Sequence, residues 1–173
     1  MGKSDTASVN RKEEIISAAI EVFAEVGYYR ATTAQVAQRA KISQPYIFRF
    51  FSTKEALLLA ALEVSWTRVI DSFHKVLESG LSEQLEPDLI RAYEDILDSY
   101  RNETLLQMQA QTIQEDSIRE AMRKGFGEVH RIVLDAFDNA GIPNPQERTM
   151  LFLARGMLCN ISSALNMPEL MGK

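Results

Sequence analysis

Between Gln44 and Lys54 the chain carries side chains suited to gripping a polyanion. At about 100° per residue, Ile47, Phe50 and Phe51 fall on one side of a helix spanning Gln44–Phe50. Pro45 and Arg49 lie near the opposite pole, flanked by Gln44, Tyr46 and Phe48. Arg49 offers a planar fork of donors to a phosphate or a guanine edge, and Gln44 can address adenine or a phosphate. Tyr46 and Phe48 supply apolar contact to thymine methyls or sugars. Lys54 sits in the first turn of the helix opened by Ser52-Thr53-Lys54-Glu55, where free backbone N–H groups and the dipole make a phosphate clamp. This is recognition chemistry with no bond made or broken, although an ordinary solvated surface helix can carry the same residue types.

Covalent chemistry finds little support elsewhere. His74 and His130 are the only histidines, and with Cys159 they show no metal-ligand or nucleophile spacing. GxSxG and Walker A sequences are absent, and Gly125-x-Gly127 lies inside a helical pattern with no strand before it. The expectation is a protein that is no enzyme and needs no cofactor.

The elements that must position Gln44–Lys54 are short helices. Asn10 precedes Glu13 by three residues, an N-cap pattern, and residues 1–9 read as an arm. Ile16, Ala19, Ile20 and Phe23 then share one face, and Gly27 stops that helix. Thr32-x-x-Gln35 is a capping box for a second helix that runs through Val36 and Ala37 to about Ala40. Lys41-Ile42-Ser43 forms the turn, with Ile42 as apolar plug and Ser43 as the next N-cap, and Pro45 fits a first helical turn. Two helices joined by so short a turn make a helix-turn-helix.

Charge distribution agrees with that reading. The net charge is −5, yet residues 1–54 hold 8 Lys and Arg against 5 Asp and Glu, leaving 11 against 19 for the remainder. Such asymmetry is expected when one end meets phosphates. The 46% hydrophobic content suffices for a packed core, and no apolar run approaches a membrane span. A polar N-terminus and a single cysteine suit a cytoplasmic protein without an internal disulfide.

The order Gly27, Thr32-Thr33-x-x-Val36-Ala37, Ala40-x-Ile42-Ser43, Ile47-Phe48-Arg49-Phe50-Phe51-x-x-Lys54-Glu55-x-Leu57 resembles the TetR family of transcriptional regulators. The resemblance covers roughly residues 11–60. It implies an all-α fold: an N-terminal three-helix helix-turn-helix DNA-binding domain over 1–53, and a C-terminal helical effector-binding and dimerisation domain over 54–173. It also implies a ligand-responsive repressor working as a homodimer on a pseudo-palindromic operator. DNA contacts by match to the motif are Thr33, Gln44, Pro45, Tyr46, Phe48, Arg49 and Lys54. Two residues depart from the pattern. Lys41 stands where the family commonly has glycine, and Phe48 stands where a tyrosine hydroxyl usually bonds a phosphate.

Beyond Lys54 a long helix through Leu62, Trp66 and Phe73 to about Leu77 would link the halves rigidly. Helices should follow from near Pro87 to Tyr100, over Asn102–Glu115, from a Ser117-x-x-Glu120 cap to Asn139, and from Pro145 to about Asn166. The last helix has two apolar stripes. One is Leu151, Ala154, Leu158, Ile161 and Leu165; the other is Met150, Leu153, Met157 and Ala164. Burial on two sides suits packing on its own domain and on a second copy. Ile132 and Ala136 of the preceding helix would complete a four-helix interface, and two recognition helices would then lie about 34–36 Å apart. Trp66, Phe73, Tyr93, Tyr100, Met108, Gln111, Met122, Phe126 and His130 are candidates for an effector pocket, although most such residues serve as core. An apolar or amphipathic ligand is expected. The competing reading is a helical small-molecule-binding protein that keeps the fold without regulating from DNA.

Overall fold

The fold is described from a computed structural model covering residues 3–80 and 84–172, with side chains from residue 9 onward. Eight α-helices make up the described residues: α1 Lys3–Val26, α2 Thr33–Arg39, α3 Gln44–Ile47, α4 Lys54–Glu78, α5 Leu85–Ser99, α6 Arg101–Ala110, α7 Asp116–Asn139 and α8 Pro145–Leu165. A 3-10 turn, Pro168–Met171, follows. No described helix is long and apolar enough to cross a membrane.

α4 is the axle. Leu57, Leu58, Ala61, Leu62, Trp66, Val69 and Phe73 are buried along it, and it packs on α1, α5, α6 and α7. α1 rests on α6 as well as on α2 and α4, so a single apolar cluster runs from Ile15 and Phe23 through to Phe137 and Phe152.

Several helix starts differ from the sequence pattern. α1 begins at Lys3, so Asn10 lies within the helix and most of the expected arm is helical; Met1 and Gly2 fall outside the described residues. Thr53, one residue later than Ser52, caps α4 by accepting from the Ala56 amide at 3.0 Å. Ser117 does not cap α7, whose N-cap is Glu115, because its hydroxyl bonds the Glu55 carboxylate across the fold. At Ser117 a local capping pattern yielded to a tertiary contact. The Thr32–Gln35 capping box is present as expected.

Gly125 of α7 has a packing reason. A Cβ there would lie 2.2 Å from the Trp66 indole, so only glycine lets α7 press against that ring. Gly127, one turn position away, faces open space.

Candidate functional site

The helix-turn-helix is built from α2, the 41–43 turn and α3. Val36, Ala37 and Ile47 are buried at its centre, with Ile42 half-buried as the plug. The turn is a Schellman closure: the Ile42 amide donates to Ala37 at 3.0 Å and the Lys41 amide to Gln38 at 3.2 Å. This geometry needs a left-handed residue, and Lys41 has φ +55°. α7 closes in the same way on Gly141, whose φ is +68°, and α8 on Asn166 at +55°. Lys41 therefore occupies a position that the same chain fills elsewhere with glycine and asparagine. The left-handed backbone costs a β-carbon-bearing residue about 1 kcal/mol.

α3 is a single α-helical turn, shorter than the Gln44–Phe50 span of the sequence pattern. After Ile47 the chain tightens, with Arg49 and Phe50 amides donating three residues back to Tyr46 and Ile47. Pro45 sits in its first turn, and Ser43 is the N-cap residue without a side-chain bond.

The exposed face carries most of the expected recognition residues. Gln44 donates to the Thr33 hydroxyl at 2.8 Å, which joins the first turns of α2 and α3 side by side. The Arg49 guanidinium lies 5.2 Å from the Tyr46 ring centroid, and Tyr46 stacks edge-on against Phe50 at 5.5 Å. This stack restrains the exposed Arg49 guanidinium just beyond the end of α3. Phe48 is 49% exposed beside it, a large apolar surface without a partner in the chain. Arg39, which the sequence pattern did not single out, bonds Glu21 at 2.7 Å and grips Glu25 bidentately at 2.7 and 2.9 Å, tying α2 to α1. These carboxylates hold its guanidinium above the usual arginine range.

Lys54 differs from the clamp expected of it. Its ammonium donates to the Tyr28, Ala31 and Tyr29 carbonyls at 2.7, 3.1 and 3.4 Å and sits over the Tyr28 ring. All three N–H donors point into the α1–α2 loop. The capping position in α4 aims the side chain back at that loop, where unpaired carbonyls follow Gly27.

A second feature lies among α4, α5, α6, α7 and α8. Trp66, Phe73, Tyr93, Gln111 and Phe126 of the expected pocket residues line a small cavity of about 40 Å³. α8 contributes Phe152, Met157 and Asn160, and α6 contributes Gln107; these were absent from the sequence-based set. Tyr93 donates to Asn160 at 2.8 Å, and burial pushes its hydroxyl up to about 12. Gln107 donates to the Ser65 hydroxyl at 3.0 Å. The other expected residues lie elsewhere. Tyr100 stacks under Arg68 at a separate groove, Met122 is buried in the core without lining the cavity, Met108 is half-buried away from it, and His130 is exposed. Helical periodicity marks a buried face but does not distinguish a cavity wall from solid core.

α6 also holds the first helices. Two residues beyond Gln107, Gln109 donates to the Ala24 carbonyl near the end of α1 at 2.9 Å. Tyr29 donates to Glu115 at 2.9 Å, and Ser117 to Glu55. These polar contacts join the α6–α7 corner to the helix-turn-helix unit.

On α8 the stripe Leu151, Ala154, Leu158, Ile161 and Leu165 is exposed from end to end, with Leu165 at 63%. Ile132 and Ala136, expected beside it at an interface, are each 4% exposed and belong to the chain's own core. The outer face of α7 is instead charged, with Arg131 pairing Glu128 and Asp135. Packing against α4 takes up the apolar side of α7, leaving α8 as the apolar outer surface.

Short α2 and α3 around a Schellman turn, followed by a long α4 and a helical second half, define a helix-turn-helix protein of the all-α class. Residues 15–61, the stretch that holds the helix-turn-helix, match the model of the bacterial regulatory proteins, tetR family. The helix-turn-helix-type transcriptional regulator HbdR of Aromatoleum sp. (strain CIB) is 33% identical over 101 residues, which is 56% of this chain and 42% of that protein. The chain thus matches under half the length of that relative. Among solved structures, the fatty acid degradation regulator FadR from Bacillus halodurans superposes with a TM-score of 0.79 at 16% identity, covering 90% of this chain and 86% of that one. FadR from Bacillus subtilis in complex with stearoyl-CoA gives 0.76 at 16% identity, covering 89% and 87%. Both establish likeness of fold; the relatives are transcriptional regulators, not enzymes.

Proposed function

We propose that the protein is a DNA-binding transcriptional repressor that grips a pseudo-palindromic operator as a homodimer and is released by a small-molecule effector. The observation that carries this is the exposed Arg49 fork, braced on Tyr46 and flanked by Gln44, Thr33, Pro45 and the exposed Phe48. These are one donor fork, polar anchors and apolar surface on the short α3 turn and the tightened segment that follows it. Residues up to 53 form the DNA-binding unit, and those from 54 onward the effector-binding and dimerisation unit.

Dimerisation is supported by the open α8 stripe, since a lone copy would leave that contiguous apolar face in water. Release is supported by α6, which puts Gln107 at the cavity and Gln109 on α1. A ligand that displaces α6 pulls on the end of α1 and, through the Tyr29–Glu115 bond, on the loop leading into α2. The recognition helices then lose their spacing, which is the differential binding that release requires.

The test is a mobility-shift assay on DNA flanking the protein's own gene. A specific band at low salt that weakens as salt rises is the expected result. Absence of any specific band would replace this reading with the helical binding protein that keeps the fold without acting on DNA.

A further inference from the structure

We infer that the cavity among α4–α8 takes a compact, uncharged aromatic molecule bearing a hydrogen-bond acceptor, and disfavours anionic acyl conjugates. This rests on the effector reading above and names the ligand class.

The walls come first. Trp66, Phe73, Tyr93, Phe126 and Phe152 bring five rings to the cavity, and no Asp, Glu, Lys, Arg or His lines it. Trp66 meets Phe126 edge-on at 4.8 Å, and Phe73 meets Tyr93 at 6.3 Å and Phe152 at 5.8 Å, each also edge-to-face. Another ring extends such an array by the same geometry, whereas an alkyl chain gains area alone. A buried carboxylate or phosphate would find no counter-charge there, and its desolvation would go uncompensated.

The polar atoms specify the rest. Trp66 is 8% exposed, and its indole N–H is buried without a hydrogen-bond partner. Few native proteins leave such a donor unmatched, and a ligand acceptor beside it removes the penalty. Asn160 is buried in the wall too, and its Oδ1 accepts from Tyr93. An indole donor beside a buried amide in an aromatic box calls for a carbonyl oxygen, an ether oxygen or a ring nitrogen.

Size sets the consequence. About 40 Å³ holds little more than water, so a ring enters only if a wall yields. Gly156 of α8 lies in ordinary contact with the Tyr93 ring, 3.5 Å from where its Cβ would be. With no side chain on Gly156 this is the less tightly filled of the two contacts, since Trp66 is held hard against Gly125.

Trp66 is the only tryptophan, so its emission reports on the cavity directly. The intact protein, without DNA, is titrated with acetophenone, with benzoate at pH 7 and with stearoyl-CoA, following emission and melting temperature. Acetophenone is expected to change emission saturably and raise the melting temperature. Benzoate, the same ring with a charge, is expected to bind at least about tenfold more weakly. Trp66→Phe keeps a ring and removes the N–H, and should weaken acetophenone by about tenfold as read from melting temperature. Asn160→Leu serves as the second variant if Trp66→Phe does not fold. Equal binding of benzoate, no saturable response to acetophenone, or full acetophenone affinity in the variant that folds would overturn the inference. Stearoyl-CoA binding that also releases DNA would overturn the ligand class and leave the regulator reading intact. Acetophenone binding by a protein that shifts no DNA would uphold the ligand class and remove the regulator reading.

Discussion

The Lys54 ammonium lies 2.7 Å from the Tyr28 carbonyl oxygen and 4.5 Å from the centroid of the same residue's ring. With Ala31 and Tyr29 as further acceptors, it fastens the first turn of α4 to the loop that delivers α2. In this structure the ammonium expected at a phosphate is engaged with that loop, so it braces α4 against the segment leading into α2.

Lys54→Met removes three bonds from a charged donor and should cost about 2 kcal/mol of stability. Thermal or urea unfolding checks the loss. Salt titration of DNA binding distinguishes brace from clamp. A brace leaves the slope of log affinity against log salt unchanged, whereas a direct phosphate contact would lower it by about 0.9.

Lys41→Gly relieves a left-handed lysine at φ +55° and should raise stability by about 1 kcal/mol, reduced somewhat by the flexibility glycine adds to the unfolded chain. The melting temperature should rise. An unchanged or lower one would mean that the lysine side chain compensates for its backbone.

Gly125→Ala and Gly127→Ala should act in opposite directions although both lie in α7. The first drives a methyl to 2.2 Å from Trp66 and should cost about 1–3 kcal/mol with a shift in Trp66 emission. The second meets nothing within 4 Å and should stabilise the helix by about 0.5–1 kcal/mol.

Burial raises the Tyr93 hydroxyl from 10.0 to about 12 in the folded protein. Between those pH values the unfolded chain loses this proton while the folded one keeps it. The stability associated with neutral Tyr93 is therefore full below pH 10 and declines as pH rises toward 12. Comparing wild type with Tyr93→Phe in urea melts across that range isolates the step. The variant should lose some stability at neutral pH with its Asn160 bond, and show a shallower alkaline decline.

The sequence made the helix-turn-helix legible because its signals are local. Thr32–Gln35 caps α2, Gly27 ends α1, and Ile47 alternates with the exposed Tyr46 to Arg49 stretch within one turn. Lys54 was placed correctly in the first turn of α4, but its target lies 26 residues back, in a loop whose free carbonyls no pattern announces. Ser117 shows the same limit, since a capping motif cannot report a competing partner far along the chain. The cavity was half legible. Aromatic spacing brought in Trp66, Phe73, Tyr93 and Phe126, while Asn160 and Gln107 emerge only when α6 and α8 come together around them. Ile132 and Ala136 carried a correct apolar signal, which the fold satisfies on α4.

The central claim is that Arg49, just beyond the end of α3, meets DNA. Fluorescence anisotropy of a labelled operator fragment, comparing wild type with Arg49→Ala at matched salt, tests it most directly. A loss of about 1–3 kcal/mol in DNA affinity is expected, with the melting temperature and oligomeric state of the protein unchanged. Equal affinity in the two proteins, or no specific binding by either at low salt, would contradict it.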